Sequence, residues 1–289
     1  MKIKSIFFLT LLCLIAISCN WKNKIPFGFK NYGENNFKGK YQKIRGFKMY
    51  YEIYGEGDPV LIIHGNGGSI KSFIYQIPYF SKNYKVIVAD SRSQGRSLDN
   101  TDSLSYEMMA DDFNALLDTL KIPSCNIIGW SDGGINGLLL AIRHPEKVKK
   151  LAITGANLWP DSTAIDPEVY KIIQKGYNDL ISSNTLKKQI DPGFGNKLKL
   201  SRLIAKAPHI SINELKSIRC PTLVIGGDHD AIRPRHTLLI AEAIPQSYLW
   251  IIPNSGHSTP LFYNDQFNKT INTFFTKPYR KIEGMNRFF

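Results

Sequence analysis

Short, uninterrupted apolar runs separated by helix-patterned stretches constrain this chain more than any other feature. The runs fall at residues 59–63 (PVLII), 84–89 (YKVIVA), 126–128 (NII), 151–154 (LAIT), 222–225 (TLVI) and 248–252 (YLWII). A strand with one face in water alternates apolar and polar residues; a continuous apolar run suits a parallel strand covered on both faces. Between the runs, apolar residues recur every three to four positions. The clearest case is residues 106–120, where Met109, Phe113, Leu116, Leu117 and Leu120 share one helix face. Residues 134–143, 234–243 and 265–275 read the same way. This alternation predicts an α/β fold with a mostly parallel central sheet and helices on both faces. Ligands of such sheets bind beyond the carboxyl ends of the strands. Residues 41–54 alternate instead and include Gly46, which predicts an antiparallel hairpin. From residue 160 to about 219 no buried-strand run occurs, only weakly amphipathic helices such as 168–180 and a loop at Asp191-Pro-Gly-Phe-Gly-Asn196. An interval this long predicts a small helical lid over the mouth of the site.

Chemistry concentrates in Gly129-Trp130-Ser131-Asp132-Gly133, which follows the run at 126–128 directly and precedes a helix. In that strand–turn–helix setting the turn is tight, hence the glycines, and it lifts the serine hydroxyl above the sheet. The N–H groups and dipole of the following helix favour a negative charge developing there. Ser131 is the candidate nucleophile, and the backbone N–H of Asp132 is one candidate oxyanion donor. A serine hydroxyl needs a base. Of the six histidines, His144 stands at a helix end before Pro145, and His209 and His236 fall in the lid and at a helix start. His64 precedes a glycine turn, and His229 neighbours acids. His257, in Asn254-Ser-Gly-His257, directly follows a strand, and loops at strand ends are where catalytic groups of such sheets sit. The acid that holds it should follow the strand at 222–225, where Asp228 and Asp230 both stand.

From about Lys48 to Phe275 the chain resembles the α/β-hydrolase superfamily on these motifs. It also carries Asp90-Ser-Arg-Ser-Gln-Gly-Arg-Ser97, similar to the family's Asp-x-Arg-Gly-x-Gly-x-Ser structural turn, with Ser93 in place of the usual glycine. The resemblance implies the chain order Ser131, Asp230, His257. It favours Asp230 over Asp228 through the spacing Gly-x-x-Asp from Gly227, and it implies the N–H of Asn66, in His64-Gly-Asn-Gly-Gly68, as the second oxyanion donor. Within the superfamily, Gly129-Trp-Ser-Asp-Gly-Gly134, Gly155-Ala-Asn157 and Cys220-Pro-Thr-Leu-Val224 resemble the valacyclovir hydrolase (biphenyl hydrolase-like) group. That group binds the α-amino group of amino-acid esters through the Asp after the nucleophile, which would make Asp132 a substrate-binding residue. The implied activity is hydrolysis of a small ester, amide or thioester without metal or organic cofactor. Carbon–carbon hydrolases and perhydrolases share the same triad, and fold does not fix function. Haloalkane dehalogenases and epoxide hydrolases carry Asp where Ser131 stands. Receptor or adhesion modules of this fold have usually lost triad members, whereas all three candidates are present here.

The N-terminus reads differently from the rest. Lys2 and Lys4 precede an uncharged apolar run at 6–17, too short to span a membrane, followed by Ala16-Ile17-Ser18-Cys19. This resembles the lipobox of bacterial lipoproteins, with Ala where Leu is preferred, and implies lipid attachment at Cys19. An ordinary secretory signal cleaved near Ser18 is the alternative. The expected division is a signal peptide at 1–18, a lipid-anchored polar tether at 19–38, a core at 39–158 and 220–277, a lid at 159–219 and a basic tail at 278–289. The protein would then be exported and membrane-anchored, with a small molecule as substrate. The net charge of +13 comes from 37 Lys and Arg scattered among 24 Asp and Glu, so it marks no nucleic-acid surface. Cys125 and Cys220 each precede an apolar run and read as buried small side chains.

Overall fold

The computed structural model describes residues 31–183, 191 and 193–288. The expected signal peptide, Cys19 and the tether up to residue 30 lie outside them. The strands β1 (Lys40–Ile44), β2 (Phe47–Tyr54), β3 (Asp58–Ile63), β4 (Tyr84–Ala89), β5 (Cys125–Trp130), β6 (Val148–Thr154), β7 (Thr222–Gly227) and β8 (Ser247–Ile252) form one sheet in the order β1-β2-β4-β3-β5-β6-β7-β8. β1 and β2 are antiparallel to each other, and β2 to β4; every later pairing is parallel. The β1–β2 hairpin turns on Arg45 and Gly46, both at positive φ (41° and 94°). That pair of conformations matches the twist of a two-residue hairpin loop.

The helices are α1 (Gln76–Phe80), α2 (Tyr106–Thr119), α3 (Asp132–Arg143), α4 (Pro167–Ser182), α5 (Phe194–Lys206), α6 (Ile212–Leu215), α7 (Pro234–Ala243), α8 (Thr259–Phe262) and α9 (Asn264–Thr276). Successive strand residues point to opposite faces, so each strand feeds two cores. Leu61, Ile63, Ile87, Ile127, Leu151 and Val224 pack with α2, α3 and α7 on one face. Val60, Ile62, Val86, Ile128 and Ile225 pack with α1 and α9 on the other. This two-sided burial is why the strands read as continuous apolar runs. α2 starts where Ser105 caps it, its hydroxyl accepting from the Met108 N–H at 3.1 Å.

Three local readings of the sequence differ from the structure. α3 begins at Asp132 rather than Gly134, because Ser131 itself is its N-cap. α5 begins at Phe194, inside the stretch read as a loop; Phe194 is buried, and this draws the helix start onto the core despite Gly195. Residues 31–38, read as tether, are fastened to the sheet. The buried Glu52 carboxylate accepts from the N–H groups of Gly33 and Asn35 and from the hydroxyls of Tyr50 and Tyr54, and Tyr32 is buried edge-on against Tyr54.

The strand order reverses beside β3: the chain passes from β3 outward to β4, then returns to place β5 on the other side. Loops leaving β3 and β5 therefore diverge and open a crevice between them. Ile63 at the end of β3 is in register with Gly129 near the end of β5, so the two loops leave the sheet at one level. Among the described residues, no helix is long and apolar enough to cross a membrane.

Candidate active site

Ser131 stands at φ 57° and ψ −121°, a conformation that costs a non-glycine residue about 1–3 kcal/mol. The surroundings enforce it. Its N–H donates to the Thr154 carbonyl at 2.8 Å, and its own carbonyl accepts from Gly134 and Ile135 in the first turn of α3. A Cβ on Gly133 would lie 1.9 Å from the Ile63 carbonyl oxygen, and one on Gly129 would lie 2.3 Å from that of Gly133. Both glycines of the motif are thus dictated by backbone contact.

The loop after β8 carries His257. Asp228 holds that loop, its carboxylate accepting from the N–H groups of Asn254 and Ser255 at 2.9 Å each. These bonds and that of His229 hold the Asp228 carboxyl well below the usual carboxylate range; the His229 bond contributes most. The Trp130 indole N–H donates to the His257 carbonyl at 2.9 Å. Gly155, at φ 63°, lies under the imidazole, where a Cβ would come within 2.7 Å of His257 Cε1.

The loop after β7 carries Asp230, whose side chain is fully buried. It accepts from the N–H of Ile232 at 3.0 Å and of Gly227 at 3.3 Å. Its Oδ1 lies 2.6 Å from His257 Nδ1, and His257 Nε2 lies 2.9 Å from Ser131 Oγ. Nδ1–H donates to the carboxylate, leaving Nε2 to accept from the serine hydroxyl. Burial opposes charge on the ring, but the Asp230 charge and hydrogen bond, with a smaller contribution from Asp132, raise its pKa above the ordinary histidine value.

The structure therefore brings Ser131, His257 and Asp230 into one chain of hydrogen bonds and turns Asp228 to the backbone instead. The other histidines are elsewhere. His236 accepts from the Leu158 N–H and is pushed by burial to a pKa of about 4. His144 meets Asp111, and His209 and His229 are exposed. His64 is buried with its pKa lowered by desolvation; its Nδ1–H donates to the Gly65 carbonyl and its Nε2 accepts from the Ser91 N–H.

The β3 loop lies against the nucleophile: a Cβ on Gly65 would be 3.0 Å from Ser131 Cβ. The Gly67 N–H is held by Gln94 Oε1 at 2.6 Å. Among the described residues the backbone N–H groups of Asn66 and Asp132 have no hydrogen-bond partner, which leaves them free to receive an oxyanion. The Asn66 side chain donates to Asp132 Oδ2 at 2.9 Å, and the buried Tyr106 hydroxyl interacts electrostatically with the same carboxylate. Burial raises the Asp132 pKa to about 6, against the lowering effect of these interactions and of His257. No local sequence pattern marks Tyr106, Gln94 or His64 as site residues. Gln94 lies in the 90–97 turn, which reads as structural, and a tyrosine at a helix start carries no signal at all.

α5 closes over this loop. Asn196 Nδ2 donates to the Ser93 carbonyl at 2.6 Å, and Lys199 Nζ donates to Ser93 Oγ, the Asp99 carbonyl and the Thr101 carbonyl at 2.9, 3.0 and 2.7 Å. Asp99 is shared with the buried Arg92, which makes two 2.7 Å bonds to Asp112. Ser93 stands at φ 65°, and its hydroxyl is one of the acceptors that α5 reaches through Lys199. Among the described residues, no three His, Cys, Asp or Glu side chains gather as metal ligands do.

Comparison with known proteins agrees with this fold. The family model described as "alpha/beta hydrolase fold" matches residues 58–201. The serine hydrolase BPHL of Homo sapiens is 29% identical over 250 residues, covering 80% of this chain and 84% of that protein. The putative carbamate hydrolase RutD of Azorhizobium caulinodans is 26% identical over 246 residues, covering 77% and 93%. The solved meta-cleavage product hydrolase of Pseudomonas fluorescens IP01 matches with a TM-score of 0.69 at 24% identity, over 82% of this chain and 97% of its own. At that identity the likeness is one of fold.

Proposed function

This chain belongs to the α/β-hydrolase family, and from that premise we propose a serine hydrolase that cleaves a small carboxylic ester, amide or thioester through an acyl-enzyme. The observation that carries the reading is the hydrogen-bonded relay from Ser131 through His257 to Asp230, at 2.9 and 2.6 Å. Ser131 Oγ attacks the carbonyl carbon while His257 Nε2 takes its proton. The carbonyl oxygen gains the electron pair and is held by the N–H groups of Asn66 and Asp132. Collapse expels the leaving group, which takes the proton from Nε2. Water then attacks the acyl carbon with His257 again as base, releasing the acid and restoring the serine hydroxyl. Asp230 keeps the ring in the tautomer this sequence needs and stabilises the imidazolium. One water is consumed and no cofactor is called on.

A fluorophosphonate probe should label Ser131, and Ser131→Ala should lose at least about a thousandfold in turnover of 4-nitrophenyl butyrate. A variant that keeps more than about a tenth of the rate sinks the mechanism. Labelling without turnover of any ester, amide or thioester would transfer the same residues to carbon–carbon bond hydrolysis or perhydrolysis.

The amine-binding role that resemblance gives Asp132 has less support than a role within the protein. Its carboxylate is buried and already engaged by Asn66 and Tyr106. Benzyl esters of an α-amino acid and of its des-amino analogue should therefore react with similar kcat/KM. A preference above about tenfold for the amino ester, worth about 1.4 kcal/mol, would restore the amine site. We also propose export and lipid attachment at Cys19, on the strength of the N-terminal sequence. Cys19→Ala should release the protein from the membrane fraction and abolish incorporation of labelled palmitate; unchanged partition in that variant would dismiss the anchor.

A further inference from the structure

The two residues assigned as oxyanion donors come from distant parts of the chain, one in a glycine-rich loop after β3 and one in the first turn of α3. Their backbone N–H groups act in concert only if the loop holds a fixed distance from the helix. Gly65, Gly67 and Gly68 flank Asn66 and give that loop wide conformational freedom, with Gly67 already at φ 65°. Something must restrict it. The Gln94 bond to the Gly67 N–H restricts one side. On the other side the Asn66 amide reaches across the crevice to Asp132 Oδ2, at 2.9 Å. A second, longer bond from the same amide reaches the Leu200 carbonyl of α5, at 3.4 Å.

Asp132 is itself immobilised. Its carboxylate is buried, and Tyr106, the first residue of α2 and only 1% exposed, interacts with it electrostatically. The Asp132 carbonyl accepts from Asn136 Nδ2 one turn on, at 2.9 Å. The acceptor of the Asn66 bond is therefore fixed to α2 and α3 together, and α3 is fixed to the sheet by the glycine contacts of the nucleophile turn.

We propose that Asn66, Asp132 and Tyr106 form a side-chain clasp that sets the separation of the two oxyanion donors, so that Asn66 and Asp132 are positioning residues through their side chains as well as donors through their backbones. The proposal rests on the serine-hydrolase reading above. Removing the Asn66 side chain leaves its N–H in place but lets the loop drift. The loss should appear in steps that build charge on the substrate oxygen, not in ground-state binding.

The test uses the full chain and two readouts: the second-order rate of Ser131 labelling by a fluorophosphonate, and kcat and KM for 4-nitrophenyl butyrate. Asn66→Ala should lower both the labelling rate and kcat by about 10- to 100-fold, with KM within about threefold and the melting temperature within a few degrees of wild type. Asn66→Asp, which sets two carboxylates against each other, should fall at least as far. The exchange Asn66→Asp with Asp132→Asn re-forms the bond with donor and acceptor reversed, and should recover to within about fivefold of wild type. Tyr106→Phe should give an intermediate loss in kcat. Full labelling rate and kcat in Asn66→Ala would overturn the clasp, as would an exchange variant no better than Asn66→Asp alone. Failure of the underlying reading is separate: there, wild-type Ser131 itself would not be labelled.

Discussion

Gly155→Ala tests how tightly the fold places its base. Gly155 is at φ 63°, where an alanine costs about 1–2 kcal/mol in backbone strain alone. The new methyl would sit 2.7 Å from His257 Cε1 and 2.9 Å from Nδ1. Ordinary carbon contacts begin near 3.5 Å, so the ring must retreat by roughly 0.8 Å. Its bonds of 2.6 Å to Asp230 and 2.9 Å to Ser131 lie on opposite sides of the ring, and a displacement of that size cannot preserve both. Misplacement near 1 Å costs up to about a hundredfold, so kcat/KM should fall by about 30- to 100-fold, or about 2–2.7 kcal/mol at 1.36 kcal/mol per decade. The melting temperature should fall by a few degrees, at about 2–4 °C per kcal/mol for a chain of this size. Gly176→Ala is the control: it lies inside α4 with nothing within 4 Å of its added Cβ, and should gain about 0.5–1 kcal/mol with kcat/KM unchanged. Steady-state kinetics and calorimetry on both variants decide the matter. If Gly155→Ala loses the expected stability yet keeps kcat/KM within about threefold, the ring is not positioned by this contact and the reasoning fails.

The raised His257 pKa sets the pH dependence. The ring must be neutral to act, so kcat/KM should climb with pH through a limb above 6.5, and Asp230→Asn should move that limb to lower pH while reducing kcat by orders of magnitude; a limb that stays in place would detach Asp230 from His257. The stability contributed by the His257–Asp230 pair is fully present below pH 6.5 and lost as pH rises through the raised pKa, which urea titrations at pH 6 and 9 would read. Glu52→Ala leaves four donors without their buried acceptor and should cost about 3–5 kcal/mol, with faster proteolytic trimming ahead of Lys40; an equally resistant N-terminus would contradict the docking role. Lys199→Met removes three bonds between α5 and the turn beneath it, so KM should rise several-fold and α5 should become more susceptible to protease, while Asp99 keeps Arg92 as partner.

Much of this architecture was legible because burial writes itself into the sequence. β3 to β7 lie between helices on both faces, so their runs are apolar and need little context to read; β8, at the sheet edge, keeps Leu249 exposed. The nucleophile turn is legible for a related reason: Gly129 and Gly133 touch backbone, and no other residue fits. The acid was harder, since Asp228 and Asp230 follow the same strand two positions apart. Only the fold shows that Asp228 holds the Asn254–Ser255 backbone while Asp230 turns to the imidazole. The links between Asn66, Asp132 and Tyr106 span 66 residues of chain for one pair and join a loop, a turn and a helix start, so no local pattern encodes them. Residues 31–38 look like tether because they are polar. Their attachment depends on Glu52, a single carboxylate inside β2 whose partners only the three-dimensional arrangement reveals.

Trp130 gives this fold an optical consequence. Its indole N–H is bonded to the His257 carbonyl, and its ring centre lies 6.3 Å from that of the imidazole. An imidazolium accepts an electron from excited indole far better than neutral imidazole does, so Trp130 emission should dim as His257 takes up a proton and brighten as it gives the proton away. Trp159 packs against His236, whose low pKa keeps that ring neutral over the same range, and so contributes a steady background. The chain thus carries its own reporter beside the reacting atoms, and stopped-flow fluorescence can follow the proton on His257 without any added label.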